Sequence, residues 1–117
     1  MRYMLLIYIN EGDYQAASKE AAEQMTAAYF AYTDAMKEAG VWLDGGRLRP
    51  TSTATRVRFQ EGQKKVLDGP YADTKEQLGG YYMIEAADMD AALSWAARCP
   101  GAQRGTIEVR PMWEYAE

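Results

Sequence analysis

Between Ser18 and Ala39 the residues Ala22, Met25, Tyr29, Tyr32, Met36 and Ala39 recur at steps of three and four. That is the spacing of one face of a helix. Ser18 can cap the start, and Gly40 stands where helices commonly end. Strand-like segments lie on either side. Arg2 to Ile9 is nearly continuous in apolar side chains, which predicts a central strand covered on both faces. Asn10 to Tyr14 breaks it with glycine and acids. Val41 to Leu48 returns to strand composition around Asp44-Gly45-Gly46, a bulge or a tight turn. Thr55 to Phe59 alternates, with Val57 and Phe59 on one face and Arg56 and Arg58 on the other, as in a half-buried strand. Glu61-Gly62 then turns the chain into Lys64 to Leu67. Gly80 to Glu85 is another strand, and Asp88 caps a second helix in which Met89, Leu93, Ala96 and Ala97 share a face and which ends before Pro100-Gly101. Thr106 to Arg110 is the last strand.

This order, close to βαβββαβ, predicts an α+β, ferredoxin-like sandwich with both helices on one face of an antiparallel sheet. The other face would expose apolar side chains, and a second copy of the chain can bury it. The 117 residues suit one domain, 1–117, able to bury a core without disulfides or metals. Hydrophobic residues make up 48% of the chain, which argues against disorder. A net charge of −4 argues against nucleic acid and anionic membranes as partners. The run Met4 to Ile9 is too short to span a bilayer and lacks the pattern of a secretory signal. Cys99 is a lone cysteine, best read as a small buried hydrophobe, and a cytoplasmic location follows. With no histidine and one cysteine, no metal site or cofactor is expected.

Polar and turn-forming residues are densest from Lys64 to Gly80, KKVLDGPYADTKEQLGG. Asp68-Gly69-Pro70 enforces a sharp change of direction. Thr74 and Gln77 stand in capping-box register, which predicts one short helical turn ended by Gly79-Gly80. Such a loop between strands is a natural place for function. Asp68 can be a general base or a hydrogen-bond acceptor for a small molecule; on the residues alone, a turn aspartate bonded to its own backbone is the stronger reading. Lys75 with Glu76 or Asp73 can orient a ligand, or be a solvated surface pair. Arg47, Arg49, Arg56 and Arg58 would meet if their strands are neighbours, forming an anion patch or a solvated face. Tyr29 and Tyr32 fall on the core stripe, whereas Tyr8, Tyr71, Tyr81 and Tyr82 can line a cleft.

The run Val66 to Tyr82, with Asp68-Gly69-Pro70-Tyr71 and then Asp73-Thr74-Lys75-Glu76 and Gly79-Gly80, resembles the signature of the YCII-related proteins of the DGPF type. The opening Met1 to Ile7, Leu48-Arg49-Pro50 and Ile107 to Pro111 are similar to that family too. Tyr71 replaces the usual phenylalanine and Asp73 the usual glutamate. The resemblance implies a dimeric α+β barrel with a cleft near the junction of the sheets, Asp68 in that cleft, and Arg110 tying the last strand to the loop. Some enzymatic relatives use a histidine and aspartate pair; without histidine that mechanism does not transfer. The resulting expectation is a homodimer whose cleft holds a small organic ligand among Asp68, Tyr8, Tyr71, Asp73, Lys75, Glu76 and Arg110. If there is chemistry, it is proton transfer of lyase or isomerase type with Asp68 as base. The alternatives are a non-catalytic regulatory or protein-interaction module linked to sigma-factor signalling, with the arginine strands as its surface, and a plain structural dimer.

Overall fold

The computed structural model describes residues 1–115. Its strands are β1 (Arg2–Ile9), β2 (Trp42–Arg47), β3 (Thr55–Gln60), β4 (Gln63–Asp68), β5 (Gln77–Glu85) and β6 (Thr106–Pro111). Its helices are α1 (Glu11–Ala16), α2 (Lys19–Glu38) and α3 (Met89–Arg98). Four strands form an antiparallel sheet in the order β2-β5-β1-β6, the ferredoxin-like arrangement, and β3-β4 stand apart as a two-stranded sheet.

The core lies on one face of the larger sheet. Tyr3, Leu5 and Ile7 alternate inward on β1, opposite Ile84, Tyr82 and Gly80 of β5. Tyr32 and Met36 of α2 and Ala92 and Ala96 of α3 close over them. The helices are locked together at one point, where the Tyr32 hydroxyl donates to the Trp95 carbonyl oxygen at 2.7 Å. Both helices start at the predicted caps: Ser18 accepts from the Ala21 amide and Asp88 from the Ala91 amide.

Several expectations are corrected. β1 is central but buried on one face only; Met4 and Leu6 on the other are half-buried. The segment read as a break after β1 is helix α1, capped by Asn10, whose side chain accepts from the Asp13 amide. On α3 the core side is Ala92 and Ala96, and Leu93 is exposed. The glycine pair on β2 follows a register shift between Trp42 and Asp44, so it is a bulge and not a turn. Glu61 and Gly62 turn the chain between β3 and β4 with φ of 52° and 77°, the left-handed pair a two-residue hairpin loop requires. Val57 and Phe59 on β3 are not half-buried but 64% and 71% exposed, because no other sheet or helix covers that hairpin. The helical turn expected near Thr74 does not form. The Thr74 hydroxyl donates to the Glu76 carbonyl, the Gln77 amide group donates to the Thr74 carbonyl, and Gln77 already begins β5.

Candidate functional site

A cavity of about 520 Å³ opens between the first half of α2 and the sheet. Its origin is a shortage of side chains. Gly45 and Gly46 on β2 lie against Gly80 and the tyrosines of β5, and Gly79 faces Ile9, so part of the floor of the hollow is bare backbone between the side chains of Ile7, Ile9 and Tyr82. The backbones approach so closely that a Cβ on Gly80 would stand 2.7 Å from the Gly46 carbonyl oxygen, and the Tyr82 ring lies so close to Gly45 that a Cβ there would stand 2.7 Å from its Cδ1. Above the floor α2 presents Ala21, Ala22 and Thr26, small residues that leave the space open. The glycines that sequence reading took for the end of a helical turn are thus what hollows out the sheet.

Polar groups around the hollow fall into three sets. Glu11, at the start of α1, accepts from the Thr51 amide at 2.9 Å and from its hydroxyl at 2.7 Å, pinning the 3-10 turn Thr51–Thr53 to the rim. The Thr33 and Tyr82 hydroxyls share a hydrogen bond of 2.9 Å. Arg47 and Arg104 are exposed lining residues, and neither forms an ion pair among the described residues. Two further polar atoms, the Tyr14 hydroxyl and the Trp42 indole N–H, are sealed just beneath the lining without a partner. The Tyr14 hydroxyl lies near that of Tyr29 without the geometry of a hydrogen bond. Burial raises the Tyr29 phenol far above its ordinary pKa, with Cys99 and Tyr14 adding to the effect, and burial likewise raises Tyr82. Both phenols therefore stay protonated at neutral pH. The Cys99 thiol is also pushed up, chiefly by burial, which makes it a poor nucleophile.

None of the seven residues singled out from sequence lines this cavity. Tyr8 is half-buried between Ile7 and Ile9, which do line it. Tyr71 is 88% exposed, and Asp68, Asp73 and Lys75 are exposed on the hairpin end and the loop after it. Lys75 forms no ion pair among the described residues, so its expected pairing with Glu76 or Asp73 is absent. Glu76 instead accepts from the Thr106 hydroxyl at 2.9 Å, and this bond, rather than Arg110, ties the last strand to the loop. Arg110 points to Glu108 at 3.6 Å. The four arginines do not meet through strand pairing, because β2 and β3 belong to different sheets; Arg56 is half-buried and donates to the Asp68 carbonyl at 3.3 Å.

The loop is nevertheless tethered to the cavity rim at both ends. The Gly69 amide donates to the Ala54 carbonyl at 2.7 Å, directly after the turn that Glu11 holds, and the Glu11 amide donates to the Gln77 side chain at 3.0 Å. Glu11, Tyr14 and Arg104 were missed from sequence. The available signal was Asn10 followed by acids, an N-terminal helix pattern that would have placed Glu11 and Tyr14 on a structured rim.

The model of the YCII-related domain matches residues 1–116. The chain belongs to the YCII-related family. It is 39% identical over 117 residues to the uncharacterised protein R00369 of Rhizobium meliloti (strain 1021), covering 98% of this chain and 94% of that protein. Among solved structures it is similar to the 5-chloro-2-hydroxyhydroquinone dehydrochlorinase TftG from Burkholderia phenoliruptrix AC1100, in complex with 2,5-dihydroxybenzoquinone. The TM-score is 0.57 at 18% identity, covering 99% of this chain and 96% of that one. The YCII-related α+β fold is common to both; at that identity the likeness speaks for the fold alone. Among the described residues no helix is long and apolar enough to cross a membrane, and no group of three or more His, Cys, Asp or Glu side chains could hold a metal ion.

Proposed function

We propose that this YCII-related protein is a homodimer that binds a small organic molecule in the cavity between α2 and the sheet. The observation that carries the reading is a hollow of about 520 Å³ opened where Gly45, Gly46, Gly79 and Gly80 stand at strand positions that normally present side chains. Its size and apolar lining suit a small-molecule site. TftG, of the same fold, was solved with a small ring compound bound. The chemistry consistent with that relative is a proton transfer of lyase or isomerase type, with Asp68 as base and Tyr8, Tyr71, Asp73, Lys75, Glu76 and Arg110 as its surroundings. The loop that carries most of these residues is anchored at both ends to the cavity rim, which supports its serving the same ligand.

A panel of small aromatic acids, phenols and quinones, screened by thermal shift, tests the site. Stabilisation by one of them that disappears in Ala22→Trp, where an indole fills the hollow, supports it; stabilisation untouched by that change contradicts it. For the acid–base role, Asp68→Asn should cut turnover of such a compound at least about a hundredfold, and unchanged turnover removes Asp68 from the chemistry.

Dimerisation is supported by the shape of the chain, a plate 48 × 47 × 18 Å whose helix-free face carries Met4, Leu6, Tyr81 and Met83. Met83→Lys should yield a monomer by light scattering. The lack of a nucleic acid or anionic membrane partner goes with the net charge of −4, and a cytoplasmic setting with the single cysteine, Cys99. The uncovered hairpin, with Val57, Phe59 and Val66 exposed, favours a second reading as a protein-interaction module without chemistry. Capture of one specific protein partner that is lost on Phe59→Ser, with no compound occupying the cavity, would select it.

A further inference from the structure

We infer that the molecule taken into this cavity is an apolar organic acid, a hydrocarbon body bearing a carboxylate or phenolate, drawn in by Arg47 and Arg104. The inference rests on the cavity being the ligand site. The chain has 17 acidic and 13 basic residues, yet of the charged side chains lining the hollow two are cations and one is an anion. The anion, Glu11, has both oxygens occupied by Thr51. The cations have no carboxylate partner among the described residues. In an acidic protein, two guanidinium groups left unpaired beside an apolar hollow form a local positive field, and low-dielectric walls focus such a field. Planar guanidinium forks match carboxylate and phenolate oxygens better than any neutral group.

The remaining lining narrows the choice further. Ile7, Ile9, Met25 and Phe30 offer only apolar contact. The Thr33 and Tyr82 hydroxyls satisfy each other. The buried Tyr29 and Tyr82 phenols keep their protons and so offer no negative charge to a cation. A basic ligand would face two like charges, whereas a neutral one would leave both arginines unused.

Three probes of one shape decide the matter: 2-naphthoate, 2-naphthamide and 2-naphthylmethylamine, titrated calorimetrically at low salt into the wild type, Ala22→Trp and the double variant Arg47→Gln/Arg104→Gln. The expected result is naphthoate binding about tenfold tighter than the amide, the scale of a partly exposed charged hydrogen bond, with the amine weakest. Ala22→Trp should remove binding of all three, and the arginine double variant should erase the preference while leaving the amide within about twofold. Equal binding of the three probes, still blocked by Ala22→Trp, overturns the inference and leaves the cavity as a site. Binding of no probe, or binding indifferent to Ala22→Trp, overturns the site as well.

Discussion

The carboxylate of Glu11 accepts two hydrogen bonds from Thr51, at 2.9 Å from the amide and 2.7 Å from the hydroxyl, and so joins α1 to the turn forty residues later. The same residue's amide reaches the Gln77 side chain at the start of β5. One side chain and one amide therefore fasten three segments around the cavity mouth. Hydrogen bonds to a charged group are worth about 1.5–3 kcal/mol, and Glu11 is half-buried. Glu11→Ala is expected to lower unfolding free energy by about 2 kcal/mol, measured by urea denaturation, and to weaken any cavity ligand by loosening the rim. Glu11→Gln, which keeps an acceptor, should recover part of both losses.

Gly80 has no room for a methyl group, since its Cβ would lie 2.7 Å from backbone oxygen of the neighbouring strand. Backbone cannot step aside as a flexible side chain can, so Gly80→Ala should cost about 1–3 kcal/mol and disturb the pairing of β2 with β5. At Gly62 the surroundings are open but φ is +77°; Gly62→Ala should cost about 1 kcal/mol through backbone conformation alone. Hydrogen exchange separates the two. The first should raise exchange along β2, and the second only at the hairpin tip.

How much of this was legible in the residues depends on what each residue answers to. The α2 stripe was readable because Met25, Tyr29, Tyr32 and Met36 obey one period on one surface. Gly79-Gly80 was misread because glycine marks a helix end and a close backbone approach equally well, and only the facing Gly45-Gly46 on a strand distant in sequence decides between them. The hairpin pattern Val57-Arg58-Phe59 forecast the strand and its alternation, but alternation cannot say whether a second layer covers it. Crowding of charge drew attention to the loop at Asp68, whereas the cavity owes its open space to alanines and glycines, which carry no chemical signal in a sequence.

Tyr14 ends in a hydroxyl sealed from water with no partner. Leaving a buried donor unsatisfied costs about 1–3 kcal/mol, so Tyr14→Phe, which removes that atom and keeps the ring, should stabilise the ligand-free protein by about 1 kcal/mol. The contrast is Tyr32→Phe, which gives up the bond to the Trp95 carbonyl and should destabilise by a similar amount. Thermal unfolding of the two variants beside the wild type gives shifts of opposite sign.

Stability at alkaline pH follows from the buried phenols. Tyr29, Tyr32 and Tyr82 all have folded pKa values raised from the ordinary 10.0, with burial the leading cause in each. Below pH 10 both folded and unfolded chains hold these protons, and the stability associated with the shift is fully present. Above that pH the unfolded chain releases them while the folded one cannot, so stability falls as pH rises. Denaturant midpoints should be flat through neutral pH and drop steadily from about pH 10. Tyr32→Phe should lessen the drop.

The most direct measurement is a two-dimensional amide NMR titration of the isotope-labelled protein with 2-naphthoate, which reports where a flat acid settles. The expected result is movement of the amides of Ala21, Ala22, Gly79 and Gly80, around the hollow between α2 and the sheet, saturating with added probe. Shifts confined to residues 68–76, with those four amides unmoved, would place the ligand on the exposed loop and contradict the cavity as the binding site.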